Sequence, residues 1–170
     1  VEPGFEPDEH VDELCARLDD LPLALELAAA RTTLLTTEQL LERLGSRLDF
    51  LRGTRDAEVR QRTLRATIEW SYELLTPEEQ RLLAALSIFR GGWTVDATER
   101  VCEADPDLLQ SLADKSLVGR TEAGRFLMLE TIREFAGARI SDEDRAAVAR
   151  RHAAYYLELA ESLAPGLTGS

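Results

Sequence analysis

The sequence predicts a mainly helical fold in which one short β-hairpin interrupts the helices. Hydrophobic residues make up 44% of the 170 residues and aromatic residues only 6%, a composition suited to a helical core of Leu and Ala. Apolar residues also recur at helical spacing along most of the chain. Segments 117–118 and 126–128 instead have the pattern of two short strands, joined by a turn around Ala123-Gly124.

The first 30 residues predict two helices. Residues 8–19 form an amphipathic pattern, because apolar side chains recur at positions i, i+3, i+4 and i+7. These side chains are Val11, Leu14, Cys15 and Leu18. Segment 21–30 is apolar almost all round, which predicts a deeply buried helix. Pro22 suits the first turn of that helix, where its missing N–H is no loss.

A third helix and a linker follow. Thr36 and Gln39 have the spacing of a capping box, and Gly45 is the predicted end of the helix. We therefore expect a helical subdomain over residues 1–50. The polar stretch 51–62 is the predicted linker, and it is a natural hinge between two packed bodies.

Residues 63–140 have the element order of a winged-helix domain. Thr76-Pro77 starts a helix strongly, with Glu79 at the third helical position, and Gly91-Gly92 is its predicted end. Further helices are predicted to open at Trp93-Thr94 and at Asp105-Pro106. The predicted hairpin and one more helix complete the domain.

The final segment, 141–170, predicts one long helix. Ser141 begins it, and Pro165-Gly166 is its predicted end. Its apolar face consists of Ala149, His152, Ala153, Tyr156, Ala160 and Leu163. One helix cannot bury such a face alone, so a packing partner is expected.

Several segments together resemble a known family. They are LPLAL at 21–25, RTLRATIEWSY at 62–72, TPEEQ at 76–80 and FLMLET at 126–131. In this order they resemble the C-terminal half of an NB-ARC (AP-ATPase, STAND class) switch, as found in large bacterial transcriptional regulators. The resemblance covers roughly residues 8–140. It implies a cytoplasmic protein in which a TPR-like helical array begins at 141–170.

The resemblance also suggests two binding positions. Pro22 matches the proline that lies against the adenine ring in the family. The residues alone favour ordinary helix initiation, and the resemblance makes the two interpretations even. Asp20 stands where the family has Gly. Leu129 occupies the place of the His in the family's Met-His-Asp motif and cannot donate to a phosphate. We expect Leu129 to pack in a core and Glu130 to cap the helix that begins near Thr131.

No residue pattern predicts catalysis. A Gly-x-x-x-x-Gly-Lys-Ser/Thr phosphate loop is not found in the sequence, so we expect no hydrolysis and no cofactor in this fragment. The resemblance implies that ADP or ATP can bind to the intact parent, the longer protein of which this chain would be a fragment. His10 and His152 lack convincing ligand spacing, so no metal site is predicted. Cys15 and Cys102 are expected to be free thiols, with a disulfide as the alternative.

The charge of the chain favours a coupling module over a DNA-binding module. The net charge is −12, and the predicted recognition helix 106–116 with its cap Asp105 has a net charge of −2. Such a helix would repel DNA phosphates, and Arg120 and Arg125 near the predicted wing are too few to reverse this.

We therefore expect a non-catalytic coupling fragment of a STAND-type regulator that relays nucleotide or inducer state by packing. Its expected partners are the upstream nucleotide-binding half and the downstream repeats, with self-association open, no direct nucleic acid and no membrane. The alternative is a DNA-binding winged-helix transcription regulator.

Overall fold

The computed structural model describes residues 10–18, 20–48 and 57–167, and it confirms the mainly helical fold with one β-hairpin. The elements, in chain order, are α1 Val11–Arg17, α2 Pro22–Ala29, α3 Thr37–Leu48, α4 Ala57–Glu73, α5 Pro77–Leu86, α6 Val95–Cys102, α7 Pro106–Asp114, β1 Gly119–Arg120, β2 Phe126–Leu127, α8 Glu130–Gly137 and α9 Asp142–Leu167. The chain divides into two compact units.

The first unit contains the described residues up to Leu75, together with Asp114–Ser116. In it α1 packs on α3, and α2 packs on α4. Its core is made of Leu14, Leu18, Ala24, Ala28, Leu40, Leu41, Leu44 and Trp70. Arg31 is also buried, and its Nη2 donates to the carbonyl oxygen of Ser71 at 3.2 Å, which joins α4 to the segment after α2.

Helix α3 begins as predicted but is longer than predicted. The Thr36 hydroxyl accepts from the Gln39 N–H at 3.2 Å, and the Gln39 side chain accepts from the Thr36 N–H at 3.1 Å. Gly45 does not end the helix, which continues to Leu48. A glycine inside a helix costs only about 1 kcal/mol, and the leucines of α3 in the core outweigh it.

The predicted linker 51–62 lies partly outside the described residues. Residues 51–56 are not described, and 57–62 belong to α4. Helix α4 therefore starts at Ala57, inside the predicted linker. The division into 1–50, 51–62, 63–140 and 141–170 stays a prediction.

The second unit, Thr76–Ala113 with Leu117–Ser170, begins with the predicted capping box. The Thr76 hydroxyl accepts from the Glu79 N–H, and the Glu79 carboxyl accepts from the Thr76 N–H. Helix α5 ends at Leu86 with Ser87 as its C-cap, four residues before the predicted stop at Gly91-Gly92. Ser87 explains this end, because its Oγ donates to the Ala84 carbonyl at 2.6 Å and so satisfies one of the last carbonyls.

The hairpin is antiparallel, with Gly119 opposite Leu127 and Arg120 opposite Phe126. Trp93 adds a bridge to Phe126. The first strand lies two residues later than the predicted 117–118, because Leu117 and Val118 are buried in the core ahead of the paired strand. Gly124 forms the predicted turn with φ +75°.

Helix α9 packs on α6 and α5. Val148 and Tyr155 are buried, and Arg100 forms an ion pair with Glu158. The helix continues to Leu167 past the predicted end at Pro165-Gly166, because a proline removes one hydrogen bond without unwinding the preceding turns. In the described part of the chain no helix is both long and apolar enough to cross a membrane.

Candidate nucleic-acid interface

Helices α6 and α7 follow one another across a short turn and precede the β1–β2 hairpin, the element order of a helix-turn-helix with a wing. Thr94 begins α6 by accepting the Ala97 N–H at 3.2 Å. Asp105 begins α7 by accepting the Asp107 N–H at 2.8 Å. Between the two helices Glu103 adopts a left-handed conformation with φ +53°, which turns the chain sharply. The element order and the bridge from Trp93 to the hairpin are those of a winged helix.

Helix α7 is held firmly against α5. Glu79 is only 3% exposed, and its Oε1 accepts a hydrogen bond from the Ser111 hydroxyl at 2.5 Å. Leu109 and Leu112 of α7 are buried in the same unit. This hydrogen bond and the two core side chains hold the helix in the recognition position.

The exposed side of α7 is acidic. Asp105 and Asp107 are exposed at its start, and Gln110 supplies the amide that could read a base edge. The helix contains no Arg or Lys. Its charge would repel the phosphates that line the major groove.

Arginines are found instead beside the wing. Arg125 Nη2 donates to the carbonyl oxygen of Gly92 at 2.7 Å. Gly92 has φ +73°, and a Cβ on it would lie 2.9 Å from the carbonyl oxygen of Phe126. Only glycine allows this close approach between the hairpin and the segment after α5.

Two further arginines, Arg90 and Arg133, interact with Glu130 at the start of α8. Arg133 of α8 pairs with Glu130, and its Nε donates to Glu130 Oε2 at 2.8 Å. The hydrogen bond from Arg133 lowers the pKa of Glu130, and the charge of Arg90 lowers it further. We call Arg90, Arg125 and Arg133 the wing-arginine group.

Sequence reasoning considered Arg120 and Arg125 and missed Arg90 and Arg133. Arg90 lies 35 residues before Arg125 in the chain, and only the pairing of Trp93 with Phe126 brings their segments together. The usable signal was Gly91-Gly92, because a glycine pair next to a predicted hairpin indicates a close backbone approach. Arg120 lies 5.7 Å above the Phe126 ring centroid.

Pro22 is the first residue of α2 and is exposed. Asp20, two residues earlier, has φ +51°, in the left-handed region that glycine occupies most readily. Contact of Pro22 with an adenine ring stays a prediction.

Leu129 does not pack in a core, and that expectation is wrong. It is 46% exposed and is the extended N-cap residue of α8, whose buried face is formed by Ile132, Phe135 and Ala136. An N-cap residue lies outside the helical periodicity, so its side chain need not follow that face. Glu130 is the first residue of α8 rather than its cap. Pro22 belongs to the first unit and Leu129 to the second.

The remaining candidates are structural. His152 lies between the rings of Phe89 and Tyr156, with centroid distances of 5.3 and 4.7 Å, and burial lowers its pKa. Cys15 and Cys102 are free thiols, and burial raises the pKa of Cys102 to about 12. Within the described residues no His, Cys, Asp and Glu side chains gather into a metal-binding cluster.

The relatives of this chain include two proteins of Mycobacterium tuberculosis. The chain is 41% identical to "Putative HTH-type transcriptional regulator Rv0890c", over 96% of this chain and 20% of that protein. It is 36% identical to "Uncharacterized protein Rv0894", over 80% of this chain and 38% of that protein. The chain thus spans about a fifth of the length of the HTH-named relative. No family model matches the chain, and no solved structure matches it significantly.

These relatives change one expectation. The name of the first agrees with the broad prediction of a transcriptional regulator, and it is not the name of an enzyme. Neither name mentions an NB-ARC or STAND switch. The expectation of no direct nucleic-acid partner is contradicted, because HTH-type regulators are DNA-binding proteins.

Proposed function

We propose that this chain is part of a transcriptional regulator and that its second unit is a winged-helix module that contacts duplex DNA. One observation carries this proposal: α6, a tight turn, α7 and a hairpin follow one another in a chain that aligns over 96% of its length with an HTH-named relative. The two halves of that observation are independent, since one comes from geometry and the other from sequence identity.

The test is a fluorescence anisotropy titration of a labelled 24-base-pair duplex with the 170-residue chain, between 50 and 200 mM salt. A winged-helix module should bind at 50 mM salt, and the logarithm of its affinity should fall linearly with the logarithm of salt. No binding at protein concentrations of several hundred micromolar would contradict the proposal.

A second candidate is a coupling module in a STAND-type regulator, and the surface of the second unit favours it. Acidic residues cover the exposed side of α7, and Leu157 and Leu163 of α9 are each 61% exposed. An apolar surface of this kind is typical of an interaction site. In this candidate a nucleotide, ADP or ATP, binds elsewhere in the intact parent, and packing between rigid bodies relays its state.

Hydrogen exchange on the intact parent would test the second candidate. Amides around Leu157 in α9 should change protection when ADP is replaced by a non-hydrolysable ATP analogue. Identical exchange in the two nucleotide states would contradict it. The DNA titration separates the two candidates for the isolated chain.

A further inference from the structure

We propose that the wing-arginine group, rather than α7, is the surface through which this unit contacts the phosphates of duplex DNA. The inference rests on the proposed function and names the face that performs it. Its three arginines come from three different segments: the loop after α5, the β2 side of the hairpin, and α8. Arg125 binds the carbonyl oxygen of Gly92, two residues after Arg90, and the charge of Arg90 acts on Glu130, the partner of Arg133.

Electrostatics separates the two faces. The exposed carboxylates of Asp105 and Asp107 mark the start of α7, and no base on that helix offsets them. The wing-arginine group contains three positive charges, with Glu130 as the carboxylate paired among them. A phosphate backbone is therefore attracted at the wing and repelled at α7.

The arginines have donors left for phosphate. Arg90 is exposed and makes no hydrogen bond or ion pair within the described part of the chain. Arg125 is exposed, and one of its five N–H groups is used on Gly92. Arg133 is only 18% exposed and uses Nε and Nη2 on Glu130, so Arg90 and Arg125 are the main phosphate-binding groups and Arg133 adds to the local charge. A guanidinium held by one partner can still bind a phosphate oxygen through its remaining N–H groups.

The backbone beneath the group is rigid. The Trp93 N–H donates to the Phe126 carbonyl at 2.9 Å, and the Phe126 N–H donates to the Trp93 carbonyl at 2.8 Å. Trp93 also stacks on Phe89 with centroids 5.2 Å apart. The segment before Trp93 is therefore fixed against the hairpin, and less conformational entropy is lost when a phosphate binds.

Contacts of this kind position DNA without reading its sequence. Because Glu130 offsets Arg133, two neutralised phosphates are expected, and they predict a slope near −1.8 for the logarithm of affinity against the logarithm of salt. Affinity should then fall about 12-fold between 50 and 200 mM salt. Duplexes of equal length but different base sequence should therefore bind with the same affinity.

The experiment compares matched charge removals by the anisotropy titration at 50 mM salt. Arg90→Ala leaves every described hydrogen bond in place, so it tests the face without disturbing the fold. Arg150→Ala on α9 removes the same charge from another exposed position with no described partner, and it is the control. We expect about 10-fold weaker binding for Arg90→Ala, with the salt slope reduced by about 1, and less than a 2-fold change for Arg150→Ala.

A second variant tests whether Arg125 contributes to the same phosphate-binding surface as Arg90. Arg90→Ala combined with Arg125→Lys should weaken binding by more than 10-fold while circular dichroism stays unchanged, because lysine keeps the charge but loses the planar fork.

Other outcomes distinguish failure of this inference from failure of the proposed function. Duplex binding that Arg90→Ala leaves unchanged but Gln110→Ala weakens would overturn this inference and keep the proposed function. Absence of duplex binding by the unmodified chain would overturn the proposed function itself, and the inference with it. Equal binding to anionic lipid vesicles would overturn the assignment to DNA.

Discussion

Glu79 should be one of the most important side chains for the stability of the second unit. Its carboxyl accepts hydrogen bonds from the Thr76 N–H at 2.9 Å and from the Ser111 hydroxyl at 2.5 Å, and the side chain is 3% exposed. Glu79→Ala removes the reciprocal half of the capping box, which costs about 1 kcal/mol. It also leaves the Ser111 hydroxyl without this acceptor, which costs about 1.5–3 kcal/mol. We therefore expect the free energy of unfolding to fall by about 3 kcal/mol.

Urea denaturation followed by tryptophan fluorescence measures this change for the second unit alone. Each unit contains one of the two tryptophans, Trp70 in the first and Trp93 in the second. In a Trp70→Phe background, the fluorescence reports the environment of Trp93, which is 1% exposed. The matched variant is Glu78→Ala on the same turn, whose partner Arg81 is exposed, and it should cost less than about 0.5 kcal/mol.

A double-mutant cycle identifies the Ser111 contact. Ser111→Ala in the Glu79→Ala background should cost at least about 1 kcal/mol less than it does in the original chain. A loss below about 1 kcal/mol for Glu79→Ala, or additive effects of the two changes, would refute this account of how α7 is held on α5.

Two further predictions concern the hairpin junction and a thiol. Gly92→Ala should lower the free energy of unfolding by more than about 2 kcal/mol, because a Cβ would lie 2.9 Å from the Phe126 carbonyl oxygen at a φ of +73°. Gly91→Ala is the control, since nothing lies within 4 Å of a Cβ there, and equal urea midpoints for the two variants would contradict the argument. In a Cys15→Ser background, Cys102 should react with Ellman's reagent at pH 8 about 1000-fold more slowly in the folded than in the urea-unfolded chain. The reason is that burial raises the pKa of Cys102 from 9.0 to about 12 and so lowers its thiolate fraction. Similar rates in the two states would contradict this prediction, because they would show that the folded thiol is accessible and ionised.

Local signals in the sequence predicted most of the helix starts. Thr76 with Glu79 and Thr36 with Gln39 were read as capping boxes from residue type and spacing, and both have the expected hydrogen bonds. A cap depends on side chains three residues apart, so neighbouring residues alone determine it. Helix ends were predicted less well. Gly45 lies within α3, because core packing decides whether a glycine ends a helix or is merely tolerated.

The candidate interface could be predicted only in part. The order of the helices and the hairpin indicated a winged helix, and the acidity of α7 was visible in the sequence. The grouping of Arg90, Arg125 and Arg133 could not be predicted from the sequence. It depends on the pairing of Trp93 with Phe126 and on how α8 packs. Leu129 was misplaced for a related reason. Its motif position indicated a core residue, whereas its exposure follows from being the extended residue before α8.

The most direct test of the central claim is NMR mapping of the DNA-contacting face. Amide shifts of the ¹⁵N-labelled chain would be recorded while an unlabelled 24-base-pair duplex is added at 50 mM salt. We predict that the largest shifts fall on Gly91, Gly92 and residues 120–126, and that they disappear at 300 mM salt. Shifts confined to α1–α3, or no shifts at any duplex concentration, would contradict a DNA-binding winged helix in this chain.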